Sequence, residues 1–89
     1  MNSRTTERFR RAFARLPISI QAQARRAYRR FRQNPLHPGL RFKQVDAELS
    51  VYSVRVSKGY RALGQREGNA IVWFWIGSHD EYERLLELF

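Results

Sequence analysis

Apolar residues in the first third of the chain recur at helical spacing. Phe9, Ala12, Phe13 and Leu16 fall at i, i+3, i+4 and i+7, with Arg8, Arg11 and Arg15 opposite. This pattern predicts an amphipathic helix over Thr6–Leu16. Pro17 interrupts it. Ser19 can N-cap a second helix whose apolar stripe is Ile20, Ala24, Ala27, Tyr28 and Phe31. Its other face carries Arg25, Arg26, Arg29, Arg30 and Arg32. Asn34-Pro35 ends it, because a residue before proline is pushed out of the helical region. The two helices form a hairpin with one apolar and one cationic side.

After "NPLHPG" the period changes to two. Leu40 and Phe42 alternate with Arg41 and Lys43, and the segments Val51–Val56, Tyr60–Gln65 and Ala70–Ile76 follow, separated by the turns "SKG" and "REGN". Four antiparallel strands are expected, with the helices covering one face of the sheet. A loop of Ser57-Lys58-Gly59 would pair Val56 with Tyr60 and Arg55 with Arg61. One face then holds Tyr52, Val54, Val56, Tyr60 and Ala62, and the other Ser53, Arg55, Arg61, Leu63 and Gln65. An even loop would mix the two sets, which favours the odd one. A second turn centred on Glu67-Gly68 pairs Gln65 with Ala70 and sets Phe74 beside Arg61 and Ile76 beside Gly59. The last strand thus carries Gly77, Ser78 and His79 to the end of the sheet where Arg55 and Arg61 sit.

The chain closes on "IVWFWIGSHDEYERLLELF". Ser78-His79-Asp80-Glu81 fits a capping box, with Ser78 as N-cap and Glu81 three positions on. Tyr82, Leu85, Leu86 and Phe89 are the apolar stripe of a short terminal helix. Capping accounts for the serine and the acids but gives His79 no role. The expected architecture is α+β: an N-terminal helix hairpin packed on a four-stranded antiparallel sheet, then a short C-terminal helix, in one domain spanning residues 1–89.

Composition narrows the chemistry. The chain has no cysteine, which excludes a disulfide framework and thiolate metal sites. The longest apolar run, Ala70–Ile76, is too short to span a bilayer, and the arginine-rich N-terminus lacks the apolar core of a secretory signal. A soluble, cytoplasmic protein is expected. The net charge is +9, and residues 1–34 alone hold ten arginines against one glutamate. A surface of this kind attracts polyanions or an acidic protein, and arginine suits bidentate phosphate contacts.

Arg55 and Arg61 facing each other would repel, and a bound anion would relieve that cost. Arg41 and Lys43 share their polar face, and His79 arrives at its edge. Guanidinium groups stabilise a pentavalent phosphate, and imidazole moves protons near neutral pH, so this set is a candidate phosphodiester site. On the residues alone, Arg55 and Arg61 fit exposed strand arginines equally well. His79 fits an exposed loop residue, Tyr82 fits core packing, and His37, between two prolines, reads as loop. Two isolated histidines make no zinc site, and there is no phosphate-binding glycine loop, dinucleotide fingerprint or aromatic RNA-stacking motif. Ser78 is better used as a cap than as a nucleophile.

Taken together, "NPLHPGLRFKQV", "YSVRVSKGYRALGQREG" and "IVWFWIGSHDEYERLL" resemble the RelE/ParE toxin superfamily of bacterial toxin–antitoxin systems. The resemblance follows the family's order over nearly the whole chain. It implies, for the RelE-like branch, a metal-independent and cofactor-free mRNA endoribonuclease acting on the translating ribosome, in which the RNA 2′-hydroxyl attacks the adjacent phosphate. Arg61 matches the transition-state-stabilising arginine, and Arg55 a second basic residue. His79 occupies the proton-transfer position, and Tyr82 lies near the C-terminal aromatic. Arg41, Lys43 and Lys58 are the expected RNA-binding cations. The implied partners are mRNA on the ribosome and an acidic antitoxin, with no membrane and no small-molecule cofactor. The chain departs from the pattern in three places. Members usually begin with a strand, for which Met1–Thr5 is too short. Ser53 stands where some carry a second lysine. The C-terminal aromatic sits early. The superfamily also includes gyrase poisons that keep the fold without nuclease residues, and a non-catalytic RNA-binding module is a third reading.

Overall fold

A computed structural model describes residues 1–89. The elements run β1 (Asn2–Thr5), α1 (Glu7–Ala14), α2 (Ile18–Gln33), a 3₁₀ turn (Pro38–Leu40), β2 (Lys43–Asp46), β3 (Val51–Ser57), β4 (Tyr60–Glu67), β5 (Ala70–Ser78) and α3 (His79–Leu86). The helix hairpin and the terminal helix stand where the patterning puts them. Thr6 caps α1 by accepting a hydrogen bond from the Phe9 amide at 3.0 Å. Ser19 does not cap α2: the helix starts at Ile18, behind Pro17, with no side-chain cap.

The sheet has five strands rather than four, in the order β1-β5-β4-β3-β2. Short as Met1–Thr5 is for a strand, Asn2–Thr5 pairs in parallel with β5, from Asn2 opposite Ala70 to Thr5 opposite Trp73. The sheet is therefore mixed. The connection from β1 to β5 spans the whole domain, so the amino terminus closes one edge of the sheet. Leu40–Lys43 is not a strand throughout. Leu40 is in the 3₁₀ turn, Arg41 is left-handed with φ 46°, and pairing begins at Lys43.

Three bulges set the register. Arg55 does face Arg61, but Ser57 rather than Val56 pairs with Tyr60, so the turn is Lys58-Gly59 and Val56 is the extra residue. At the next hairpin Glu67 pairs with Ala70, Gln65 with Val72, and Gly64 with Trp73. Leu63 then faces Trp75, leaving Phe74 as the extra residue. Phe74 is thus not beside Arg61, and Ile76 is not beside Gly59; Gly77 faces Arg61 and Ile76 faces Ala62. The Phe74 bulge also changes which positions point inward. Ile71 and Trp73 lie in the helix-side core before it, and Ile76 after it, so the alternation shifts by one. The third bulge leaves Val45 unpaired between Gln44 and Asp46.

The larger core lies between the hairpin and the sheet. Phe31 is its hub, 2% exposed. It meets Phe42 and Trp73 edge-on at centroid distances of 5.0 and 5.3 Å. Ala27, Leu40, Val54, Ala62, Ile71 and Ile76 complete it. The opposite face, expected to be open and polar, is partly covered by α3. There Val51, Leu63 and Tyr82 are buried, with Val45, Phe74, Trp75, Leu85 and Leu86 packed around them. Phe89, predicted in that stripe, is exposed. No helix is long and apolar enough to cross a membrane.

Candidate active site

The β3–β4 hairpin ends in a cationic corner. Arg55 and Arg61 are cross-strand partners there, and Gly77 of β5 lies on the other side of Arg61. A Cβ on Gly77 would come within 2.6 Å of the Trp75 ring and 3.2 Å of a Glu81 carboxylate oxygen, so only glycine fits. Nη1 of Arg61 donates to the backbone oxygens of Ser57 at 2.7 Å, Tyr60 at 2.9 Å and Lys58 at 3.3 Å. One guanidinium nitrogen therefore clamps the turn. Burial, followed by the Arg55 guanidinium, holds the Arg61 pKa below the ordinary arginine value. Tyr82 opposes that shift, Arg41 adds to it, and Glu83 opposes it. Arginine stays charged throughout, so the shift records an electrostatic tension that an anion would relieve.

His79 is tied to the same corner. Its backbone N–H donates to the Gly59 oxygen at 2.8 Å, fastening the start of α3 to the turn beside Arg61. The capping box is complete. Glu81 N–H donates to Ser78 Oγ at 3.2 Å, and the Ser78 amide donates to Glu81 Oε1 at 3.1 Å. These bonds fix the first turn of α3 and the direction of His79. The imidazole Nε2 lies 3.3 Å from Glu83 Oε1, and its ring sits 5.8 Å from that of Tyr82. The imidazole is partly exposed, with 40% of its side chain open to solvent.

Tyr82 is buried, at 4% exposure, and its hydroxyl donates to Ser53 Oγ at 3.1 Å. That bond anchors α3 to β3. Ser53 in turn faces Lys43 of β2 and Leu63 of β4. The fold thus brings Arg41, Arg55, Arg61, His79 and Tyr82 into one region. Lys43 lies further along the sheet, exposed at the start of the edge strand β2. Lys58, also exposed, lines a separate cleft against α2. His37 caps the 3₁₀ turn by accepting from the Gly39 amide at 3.0 Å. Sequence patterning does not single out two members of the corner. Glu83 stands four residues after His79, a helical spacing that is readable in the sequence. The role of Ser53 as partner of Tyr82 joins residues 29 apart and has no local signal. No three His, Asp or Glu side chains gather as metal ligands.

The family model of the ParE-like toxin domain matches residues 18–84, which include α2, β2 to β5 and most of α3. The chain belongs to the RelE/ParE toxin superfamily. Solved structures agree in fold. A chain of the RelB–RelE antitoxin–toxin complex from Methanococcus jannaschii superposes with a TM-score of 0.73 at 13% identity, covering 92% of this chain and 96% of that one. The YoeB/ParE toxin from Agrobacterium tumefaciens gives 0.68 at 12%, covering 89% and 99%. The RelBE2 toxin–antitoxin complex from Mycobacterium tuberculosis gives 0.61 at 26%, covering 88% and 96%. No curated protein matches the chain in sequence. Superfamily membership accounts for the five-stranded sheet flanked by helices. The work of the corner residues has to be argued from their chemistry.

Proposed function

We propose that this protein is the toxin of a toxin–antitoxin pair and cleaves mRNA on the translating ribosome without a metal ion. The observation that carries the reading is the backbone hydrogen bond from His79 to Gly59, which fastens the residue bearing a partly exposed imidazole to the turn that follows Arg55 and precedes Arg61. In this reading a 2′-hydroxyl gives up its proton and attacks the neighbouring phosphorus, and the bond to the 5′-oxygen breaks as that oxygen takes up a proton. His79 moves a proton in this exchange. Arg61, with its remaining guanidinium donors, and Arg55 stabilise the charge that grows on the phosphate oxygens. Tyr82 positions α3 through Ser53 and so holds His79 over the site. Arg41 and Lys43 attract the RNA backbone. The products are a cyclic phosphate and a 5′-hydroxyl. An acidic antitoxin fits the +9 charge of the chain.

A second reading, inhibition of gyrase by binding, is favoured by one feature: Nη1 of Arg61 is spent on turn carbonyls, as a purely structural arginine would be. In vitro translation with purified protein separates the two. The nuclease reading expects mRNA cuts, mapped by primer extension, that bear 5′-hydroxyl ends. Intact mRNA together with loss of gyrase supercoiling would decide for the second.

A further inference from the structure

A second cationic cleft opens on the other side of Arg55. It lies between α2, the 3₁₀ turn and the β3–β4 turn, and has a volume of about 380 Å³. Arg26, Arg30, Arg55 and Lys58 line it, and no acidic residue does. None of the four forms an ion pair. Arg26 and Arg30 are one helical turn apart, a spacing at which like charges destabilise a helix. Gly39 forms part of the wall, and a Cβ there would sit 3.8 Å from Arg30 Nη1. A side chain there would also press on the His37 ring at 3.2 Å.

We infer that this cleft is a phosphate subsite for the RNA strand whose reacting phosphate lies at Arg61. Arg55 belongs to both places: it lines the cleft and faces Arg61 across the hairpin. A single strand can therefore run from one to the other along continuous positive charge. Three arginines offer the planar donor forks that phosphate oxygens accept. Few apolar side chains line the cleft, so a folded protein segment would bury little apolar surface there. A polyanion held by its backbone needs none. Arg25 and Arg29, on the same helix, line the large apolar groove on its other side instead. They provide a control of equal charge.

This inference rests on the corner being an RNA site, and binding rather than cleavage tests it. A fluorescent RNA oligonucleotide carrying 2′-O-methyl groups throughout cannot be cut. Its affinity is read by anisotropy over a range of salt concentrations. Arg26→Ala/Arg30→Ala should weaken binding roughly tenfold and flatten the salt dependence by about 0.7 in slope for each phosphate that is no longer neutralised. Arg25→Ala/Arg29→Ala should stay within about twofold of wild type. Lys58→Glu should weaken binding in the same direction as the first pair. Thermal melts confirm that all variants fold. Equal losses in both arginine pairs would mean a diffuse basic surface and overturn the subsite. So would unchanged RNA affinity in the Arg26/Arg30 variant with loss of polyglutamate binding, which would assign the cleft to an acidic polypeptide. Selective loss of RNA binding in that variant, with no cleavage by wild type on ribosomes, would keep the subsite and sink the nuclease reading.

Discussion

Under α1 and α2 the sheet buries Phe31, Leu40, Ile71, Trp73 and their neighbours in one continuous core. Under α3 its buried apolar residues are only Val51, Leu63 and Tyr82, and every corner residue except Arg41 and Arg55 reaches its place through that thinner contact or the adjoining turn. The first face is held by area and shape. The second is held by a few directed bonds: Tyr82 to Ser53, His79 to Gly59, and the Ser78–Glu81 box. Bonds of this kind fix the direction of side chains but contribute modestly to stability. Mutations on the first face should therefore act on stability, and those on the second on chemistry.

The strongest test of that division is Phe31→Ala. Truncating the hub of the larger core should destabilise the domain by about 3–5 kcal/mol, read as a fall in the midpoint of chemical denaturation. Against the ~5–15 kcal/mol typical of whole domains, much of the protein would unfold. A small change here would mean that the two faces do not differ as described.

Arg61→Ala and His79→Ala should show the reverse pattern. Arg61→Ala should raise the barrier by about 2.7–4 kcal/mol, measured as single-turnover cleavage of ribosome-bound mRNA, while losing only roughly 0.5–1.5 kcal/mol of stability with its turn bonds. His79→Ala should slow cleavage about 10²–10⁴-fold with a melt near wild type. Arg61→Lys keeps the charge but not the three-carbonyl clamp, so recovery of activity in it would show that charge matters more than the clamp. If His79→Ala cuts at the wild-type rate, the histidine is only the first residue of a helix.

How much of this is legible in the sequence follows from the range of each interaction. The helix hairpin and α3 are local, and their stripes and capping box are readable from spacing alone. The Arg55–Arg61 pairing holds despite a different turn, because the polar and apolar sets sort correctly only in that register. The β1 strand escapes pattern reading because Asn-Ser-Arg-Thr has no apolar alternation and its partner lies almost 70 positions away. The bulges at Val56 and Phe74 are invisible because one extra residue leaves no compositional mark. Gly77, rather than Phe74, faces Arg61 because the turn pairs Glu67 with Ala70, which shifts the register by two, and the Phe74 bulge adds one more. Strict alternation underestimates the covering of the second face for the same reason: it places Phe74 and Trp75 on opposite sides, but the bulge leaves both in the core under α3.

Tyr82→Phe probes the thin face itself. It leaves the ring but removes the donor to Ser53, whose side chain is buried at 2% exposure. An unsatisfied hydroxyl there should cost about 1–3 kcal/mol. The double variant Ser53→Ala/Tyr82→Phe removes both partners and should cost less than the sum of the two single changes. Cleavage should fall only slightly while α3 stays docked. Strict additivity in the melts would show that the hydroxyls do not hold the two elements together.

The smallest expected effect is a pH dependence at the start of α3. Two hydrogen bonds from Ser78, first from its backbone N–H and then from its hydroxyl, hold the Glu81 carboxyl below its ordinary value near 4.5. Slight burial opposes them, and Arg84 adds to the lowering. A folded-state pKa below the unfolded one means that the ionised form is stabilised by folding. That contribution is complete above about pH 4.5 and disappears as the pH falls through the lower folded value. Glu81→Gln keeps an oxygen for the Ser78 bonds but cannot titrate. Wild type should therefore exceed Glu81→Gln in stability by a few tenths of a kcal/mol up to roughly 1 at neutral pH. The gap should close in acid, measured as the difference between the two denaturation curves, in which the other carboxylates cancel. A gap that stays constant from neutral pH down to the acid limit would show that charge at the helix start contributes nothing. The box would then hold His79 by geometry alone.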